Sequence, residues 1–283
     1  MVNIFIPDTL TEALRIRGQH ETLVINGGTD VMVKYRRWNG MPPDFPLDVL
    51  HIGNLAELKR IEIAEGKLMI GAAVTLYEMM EHPLVPDYIS LPIRQLASPA
   101  IRNMGTLAGN LCNASASGDS LPMLYALNAE ITLASAHGTR KLPVGQFITF
   151  AKQTLLQPDE LVTELTIPLS DYTVSYYRKI GGRQVNAISK ASFYAVAIKK
   201  DGIIEDVRIA FGSVAPTAVR DRACEEILIG AAETELDAKI ETLRTLYGEL
   251  LAPLDDTRST ADYRRYVSLQ LLEDFIIRRG LET

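Results

Sequence analysis

Asn26-Gly27-Gly28-Thr29-Asp30 and Ile101-Arg102-Asn103-Met104-Gly105-Thr106-Leu107-Ala108-Gly109-Asn110-Leu111 are the two stretches whose reading decides the fold. Each offers backbone N–H groups unobstructed by bulky side chains, where phosphate oxygens could be held. The first follows the apolar run Leu23-Val24-Ile25 and precedes Val31-Met32-Val33-Lys34. That order reads as a buried strand, a tight turn, and then a helix or a second strand. The second lies within a segment from Ala97 to Asp119 that is rich in small and hydroxyl-bearing residues and nearly free of charge. Such a segment suits backbone wrapped closely around a ligand. Taken alone, the first stretch reads as a plain turn, and the second keeps a surface-loop alternative. Neither has the Gly-x-Gly-x-x-Gly or Gly-x-x-x-x-Gly-Lys-Ser/Thr pattern, which disfavours a Rossmann or P-loop fold.

The chain as a whole has the composition of a globular protein: 283 residues, 47% hydrophobic and 23% charged, long enough for two or more packed subdomains. A formal net charge of −6 argues against nucleic acid or an anionic membrane as a partner, and the basic residues are scattered apart from Lys34, Arg36 and Arg37. No secretory leader opens the sequence and no apolar run reaches membrane-spanning length, so a cytoplasmic protein is expected. The two cysteines, Cys112 and Cys224, are too few and too far apart for an iron–sulfur cluster or a structural zinc. His20, His51, His82 and His137 are dispersed, and no metal site is expected.

Around the first loop, Asp8 to Gly18 reads as a helix capped by Asp8 or Thr9, and Asp48 to Ile52 as a further strand. Residues 61–72 alternate about Glu65-Gly66 as a hairpin does. Helices are expected at 76–81 and 91–96, and a third from Ser120 to Asn128 with Asp119 as its cap. Two strands over 131–144 turn at His137-Gly138, and 160–168 reads as a strand that ends one part of the chain. The pattern breaks at Pro168 to Val174. Beyond it, strands are expected at 174–180, 187–199 and 207–214, then helices at 218–230, 233–251 and 260–279. Ser259 with Asp262 resembles a capping box opening the last helix.

Taken together, these segments resemble the FAD-binding, or medium, subunit of molybdenum hydroxylases of the xanthine dehydrogenase and carbon monoxide dehydrogenase type. The first loop is similar to that family's Ala-Gly-Gly-Thr-Asp, and the second to its Ile-Arg-Asn-x-Gly-Thr-Ile-Gly-Gly-Asn-Leu. Gly71 to Leu76, Pro158 to Leu161 and Ala215 to Arg220 are weaker echoes, and the likeness covers nearly the whole chain. The departures are Asn26 in place of a common Ala, and Leu107-Ala108 in place of Ile-Gly. A positive φ or a very close approach at Ala108 would weaken cofactor binding.

The resemblance implies an α+β protein of the vanillyl-alcohol-oxidase type, with two α/β subdomains that grip an extended FAD and a C-terminal domain of antiparallel sheet and helices. Boundaries at 1–55, 56–170 and 174–283 follow from the segmentation. It also implies that Val24, Ile25, Asn26, Gly27, Gly28, Thr29, Asp30 and Val31, with Ile101, Thr106, Ala108, Gly109 and Asn110, line the cofactor path. Ala97 and Ser98 would border the flavin, Asp119 would accept hydrogen bonds from FAD, and Val162 would make an apolar contact. Lys179 matches a family lysine near the flavin ring, where its charge could favour the reduced, anionic form; it reads as well as a solvated strand lysine. No catalytic acid, base or nucleophile is expected in this chain. The implied partners are an iron–sulfur subunit and a molybdenum-cofactor subunit, with NAD or another molecule as electron acceptor. A nucleotide-binding assembly or regulatory module without redox turnover is the alternative.

Overall fold

Among the described residues, three sheets of three or more strands succeed one another along the chain, the first glycine loop leaving a strand of the first sheet and the second lying in the helical stretch between strands of the second. The computed structural model describes residues 2–38, 40–183, 186–279 and 281. The first sheet is parallel, in the order β1-β3-β2, from β1 (Ile4–Phe5), β2 (Thr22–Ile25) and β3 (Asp48–His51). Helix α1 (Leu10–Gln19) joins β1 to β2, and the single turn α2 (Val31–Lys34) follows the first glycine loop, which settles the helix-or-strand alternative there. Thr9 is the cap of α1, its side chain accepting the Glu12 N–H at 3.2 Å. Ala13 and Ile16 on its inner face bury against Leu50, Ile52 and Leu55. Strand β1 escaped the sequence reading because two residues carry no periodicity.

The second sheet is antiparallel, β4-β5-β10-β6-β7. It opens with β4 (Ile61–Ala64) and β5 (Lys67–Gly71), whose turn puts Glu65 and Gly66 at φ +51° and +71°, as a two-residue hairpin requires. Five short helices follow before the sheet resumes: α3 (Leu76–Glu81), α4 (Asp87–Arg94), α5 (Pro99–Arg102), α6 (Leu107–Cys112) and α7 (Leu121–Ala126). Next come β6 (Glu130–Ser135), β7 (Gly138–Pro143), the turn α8 (Val144–Phe147), a small β8–β9 pair (Ile148–Phe150, Gln153–Thr154) and β10 (Leu161–Pro168). Strand β10 lies at the centre of the sheet, with Leu165 and Ile167 fully buried. The helix expected at 91–96 starts earlier, at Asp87, where an acidic first turn follows Pro86 and Arg94 closes back on Asp87 at 2.6 Å.

The third sheet, β11-β12-β13, comprises β11 (Val174–Ile180), β12 (Ala191–Lys200) and β13 (Ile203–Gly212). Residues Ala191 to Ala197 are buried without interruption, the mark of a strand covered on both faces. On one face, Tyr177, Tyr194, Val196 and Ala210 join the core of the second sheet. On the other, Tyr176, Phe193, Ile209 and Phe211 pack against the C-terminal helices. Those helices are α9 (Arg222–Glu226), α10 (Leu236–Leu250) and α11 (Ala261–Glu273), the last running into a π-helical turn over Asp274–Arg279.

The helix expected over 218–230 shortens to α9, because Val219 exchanges backbone hydrogen bonds with Phe211 and Gly230 turns at φ +79°. At the start of α11 the cap is Thr260 rather than Ser259, which bridges to Asp256. Asp119 does not cap α7: that helix is preceded by Ser120 with no side-chain cap bond. The Asp119 carboxylate is committed elsewhere.

Phe193 is fully buried between Phe211, Tyr176 and Phe275, at ring separations of 5.0–5.8 Å. Phe193→Ala should lower the unfolding free energy by about 3–5 kcal/mol in a denaturant titration.

Candidate functional site

The two glycine loops meet. A Cβ built on Gly27 would stand 1.7 Å from the carbonyl oxygen of Met104 and 3.0 Å from the Cα of Gly105, so only glycine lets the first loop lie on the second. Gly28 has φ +69°, the left-handed conformation that makes the turn out of β2. Thr29 Oγ1 stands 3.4 Å from where a Cβ on Gly105 would be.

Asn26 stitches the loops together from within. Its Nδ2 donates to the Ala72 carbonyl at 2.6 Å and to Thr106 Oγ1 at 3.3 Å, and the Ala72 N–H donates to Thr163 O at 3.0 Å, next to Val162 on β10. The departure from alanine at this position therefore has a structural use. On the outside, Asp30 Oδ2 accepts from Asn113 Nδ2 at 2.8 Å, and Asn113 Oδ1 accepts from Lys152 Nζ at 2.7 Å. Thr106 caps α6, accepting the Gly109 N–H at 3.0 Å.

With the loops held this way, several backbone donors are left over. Among the described residues, the N–H groups of Gly27, Gly28, Thr29 and Asp30, and of Leu107 and Ala108, have no protein acceptor. Two sets of unpaired donors, on loops that touch each other, make a cradle suited to paired phosphates without any lysine in the loop. Ala108 lies in the right-handed turn of α6 with its methyl group in the core. Its extra carbon therefore imposes no left-handed strain.

The other expected positions extend from this cradle. Ile25 ends β2 beneath Gly28, and Val31 opens α2. Val24 is partly buried, its side chain packed against the first-sheet core. Ala97 holds φ +51°, Ser98 caps α5 by accepting from the Ile101 N–H at 3.4 Å, and Arg102 Nη1 donates to Leu96 O at 2.8 Å. Asn110 Oδ1 accepts from Ser120 Oγ at 2.7 Å, which ties the second loop to Asp119. A non-glycine residue at positive φ stores strain, and here it sits at the edge of the site.

Asp119 and Lys179 form a buried ion pair, Oδ2 to Nζ 2.6 Å. Lys179 Nζ also donates to Gln95 O at 3.3 Å, and Ser189 Oγ donates to Asp119 Oδ1 at 2.5 Å. Tyr177 brings its buried hydroxyl near the same carboxylate without meeting hydrogen-bond geometry. Burial pushes the Asp119 carboxyl above its ordinary value, while Lys179, Ser189 and Tyr177 pull it back. Lys179 is thus no solvated strand lysine: its side chain is 7% exposed. Gln95, Tyr177 and Ser189 lie outside the glycine-bearing stretches and carry no distinctive spacing, and Asn113, inside the second stretch, was not marked out from its neighbours.

Residues 1–170 match the family model described as the FAD binding domain in molybdopterin dehydrogenase, and 175–278 match the CO dehydrogenase flavoprotein C-terminal domain. The chain belongs to this FAD-binding family. It is 31% identical over 242 residues to the nicotinate dehydrogenase FAD-subunit of Eubacterium barkeri, covering 81% of this chain and 80% of that one. It is 28% identical over 269 residues to a putative xanthine dehydrogenase FAD-binding subunit of Escherichia coli K12, covering 92% and 89%. In fold it is similar to a chain of carbon monoxide dehydrogenase from Hydrogenophaga pseudoflava, with a TM-score of 0.86, 24% identity, and coverage of 99% and 96%.

The chain is an FAD-binding subunit of the molybdenum hydroxylase family, xanthine and carbon monoxide dehydrogenase type, and FAD is its cofactor. The cradle fits such a group, because an FAD pyrophosphate needs donors from two sides and both loops have them to spare. Among the described residues no cluster of His, Cys, Asp or Glu could hold a metal ion, and no helix is long and apolar enough to cross a membrane.

Gly27→Ala should drive the loops apart, because the added carbon meets backbone. A loss of about 1–3 kcal/mol is expected by thermal or denaturant unfolding. Gly109→Ala meets only Thr106 Oγ1, at 3.1 Å, and should stay within about 1 kcal/mol of the wild type.

Proposed function

We propose that this chain is the electron-transfer subunit of a multi-subunit molybdenum hydroxylase, taking electrons from an iron–sulfur subunit and passing them to NAD or another acceptor. The observation that carries the reading is the pair of glycine loops with unpaired backbone donors, locked face to face by Gly27 and Asn26. Bound FAD supplies the redox chemistry, since it can exchange electrons singly or in pairs. The protein's part is to bind and orient it.

In this reading the amides of Gly27 to Asp30 and of Leu107 and Ala108 hold the pyrophosphate, and Gly109 leaves the surface of α6 open beside it. Ile25, Val31, Ile101, Thr106 and Asn110 line the path, with Val162 an apolar wall. Ala97 and Ser98 face the flavin, and Asp119 and Lys179 stand at its edge. Asn26 acts through the loops rather than by touching the cofactor with its amide.

The working division is 1–55 and 56–170 around the cofactor and 174–283 covering it. The reaction partners are a molybdenum-cofactor subunit, which hydroxylates the substrate, and an iron–sulfur subunit. The two cysteines of this chain cannot supply that cluster themselves. A cytoplasmic location accompanies the reading.

Purified protein should show the absorption of oxidised flavin and lose it on adding dithionite. Colourless protein that takes up no added FAD would overturn the reading in favour of an assembly module. Gly109→Val should strip the flavin while leaving the unfolding midpoint close to wild type, because the side chain enters the phosphate path and meets little protein. Affinity purification followed by mass spectrometry should recover one molybdenum and one iron–sulfur subunit.

A further inference from the structure

Ser189 is fully buried, and its hydroxyl is spent on a single acceptor, Asp119 Oδ1, at 2.5 Å. The other carboxylate oxygen takes Lys179 Nζ at 2.6 Å. Asp119 comes from the segment that carries the second glycine loop, whereas Lys179 is the next-to-last residue of β11 and Ser189 lies just before β12. Ser120 ties the cluster back to Asn110, one residue from Gly109. Lys179 reaches Gln95 O, close to the strained Ala97.

A lone ammonium at this place would act on the cofactor as a full positive charge. With Asp119 locked onto it, the pair is formally neutral and presents a dipole instead. Which of the two the cofactor meets depends on whether Asp119 stays ionised, and that depends on the donors it keeps. Lys179 and Ser189 are those donors. Tyr177, the remaining group facing the carboxylate, is itself held protonated, burial and the charge of Asp119 pushing its hydroxyl well above the ordinary phenol.

Resting on the reading of the previous subsection, we infer that Ser189 is a positioning residue for the flavin's redox potential: it holds Asp119 on Lys179 so that the pair stays neutral beside the cofactor. Burial already raises the Asp119 carboxyl. Losing the Ser189 donor raises it further, so Asp119 takes up a proton at a higher pH. Lys179 then keeps an uncompensated charge. A positive charge favours the reduced flavin that carries a negative charge, formed by two electrons and one proton, over the neutral reduced form, which takes two protons.

The test is a dithionite titration of the flavin in the purified protein at several pH values. Ser189→Ala should shift the midpoint potential positive, increasingly as the pH falls, and Ser189→Thr should restore it. Asp119→Asn should shift it positive at every pH. A merely structural serine would change stability or flavin content and leave the potential alone. Ser189→Ala and Asp119→Asn proteins that hold FAD at the wild-type potential would overturn the inference.

A second measurement needs no flavin. The carboxyl carbon signal of Asp119, assigned by its loss in Asp119→Asn, should titrate at a higher pH in the Ser189→Ala chain than in wild type. An unchanged titration overturns the role given to Ser189, even if the variant cannot retain FAD. Wild-type protein that binds no FAD refutes the proposed function instead, and the carboxyl titration still decides whether Ser189 controls Asp119.

Discussion

The fit of Gly27 against the carbonyl of Met104 is the constraint on which the rest of the site depends. Two backbones that approach this closely leave no room for a side chain at Gly27, and both keep N–H groups without a protein acceptor. Asn26 adds direction, fastening the first loop to Ala72 at the end of β5 and to Thr106 at the start of α6. The two loops meet because the end of a first-sheet strand is fastened to the end of a strand of the second sheet.

The third sheet performs a different service. Strand β12 is buried on both faces, so the sheet is a partition with the main core on one side and the C-terminal helices on the other. Lys179, Tyr177 and Ser189 belong to the partition and its adjoining loop, and they deliver polar groups into an otherwise apolar boundary. Burying an ion pair is costly unless its remaining donors and acceptors are satisfied. Here Ser189 and the Gln95 carbonyl satisfy much of the pair, which keeps the charges at one defined place.

Much of the fold was legible in the sequence where local chemistry dictates structure. Glu65-Gly66 forms the hairpin turn because both residues adopt positive φ, and the helix expected at 76–81 forms there as α3. The glycine loops stood out because small residues gather there. What was hidden depends on distant partners. Strand β1 is too short to show a period, and the helix expected over 218–230 lost its first turn to a backbone exchange between Val219 and Phe211. Asp119 looked like a cap because it precedes a helix, but an ion pair to a residue 60 positions away claimed it. Nothing near Ser189 in sequence announces its contact, which spans 70 positions.

The stitch between Asn26 and Thr106 joins residues 80 apart, and it makes two distant stretches of chain depend on one another. A contact of such long range carries the loop-closure entropy of the intervening chain, so any ligand that holds both loops offsets part of that cost. In the function proposed above, retention of FAD reports on the integrity of the junction between the first two sheets.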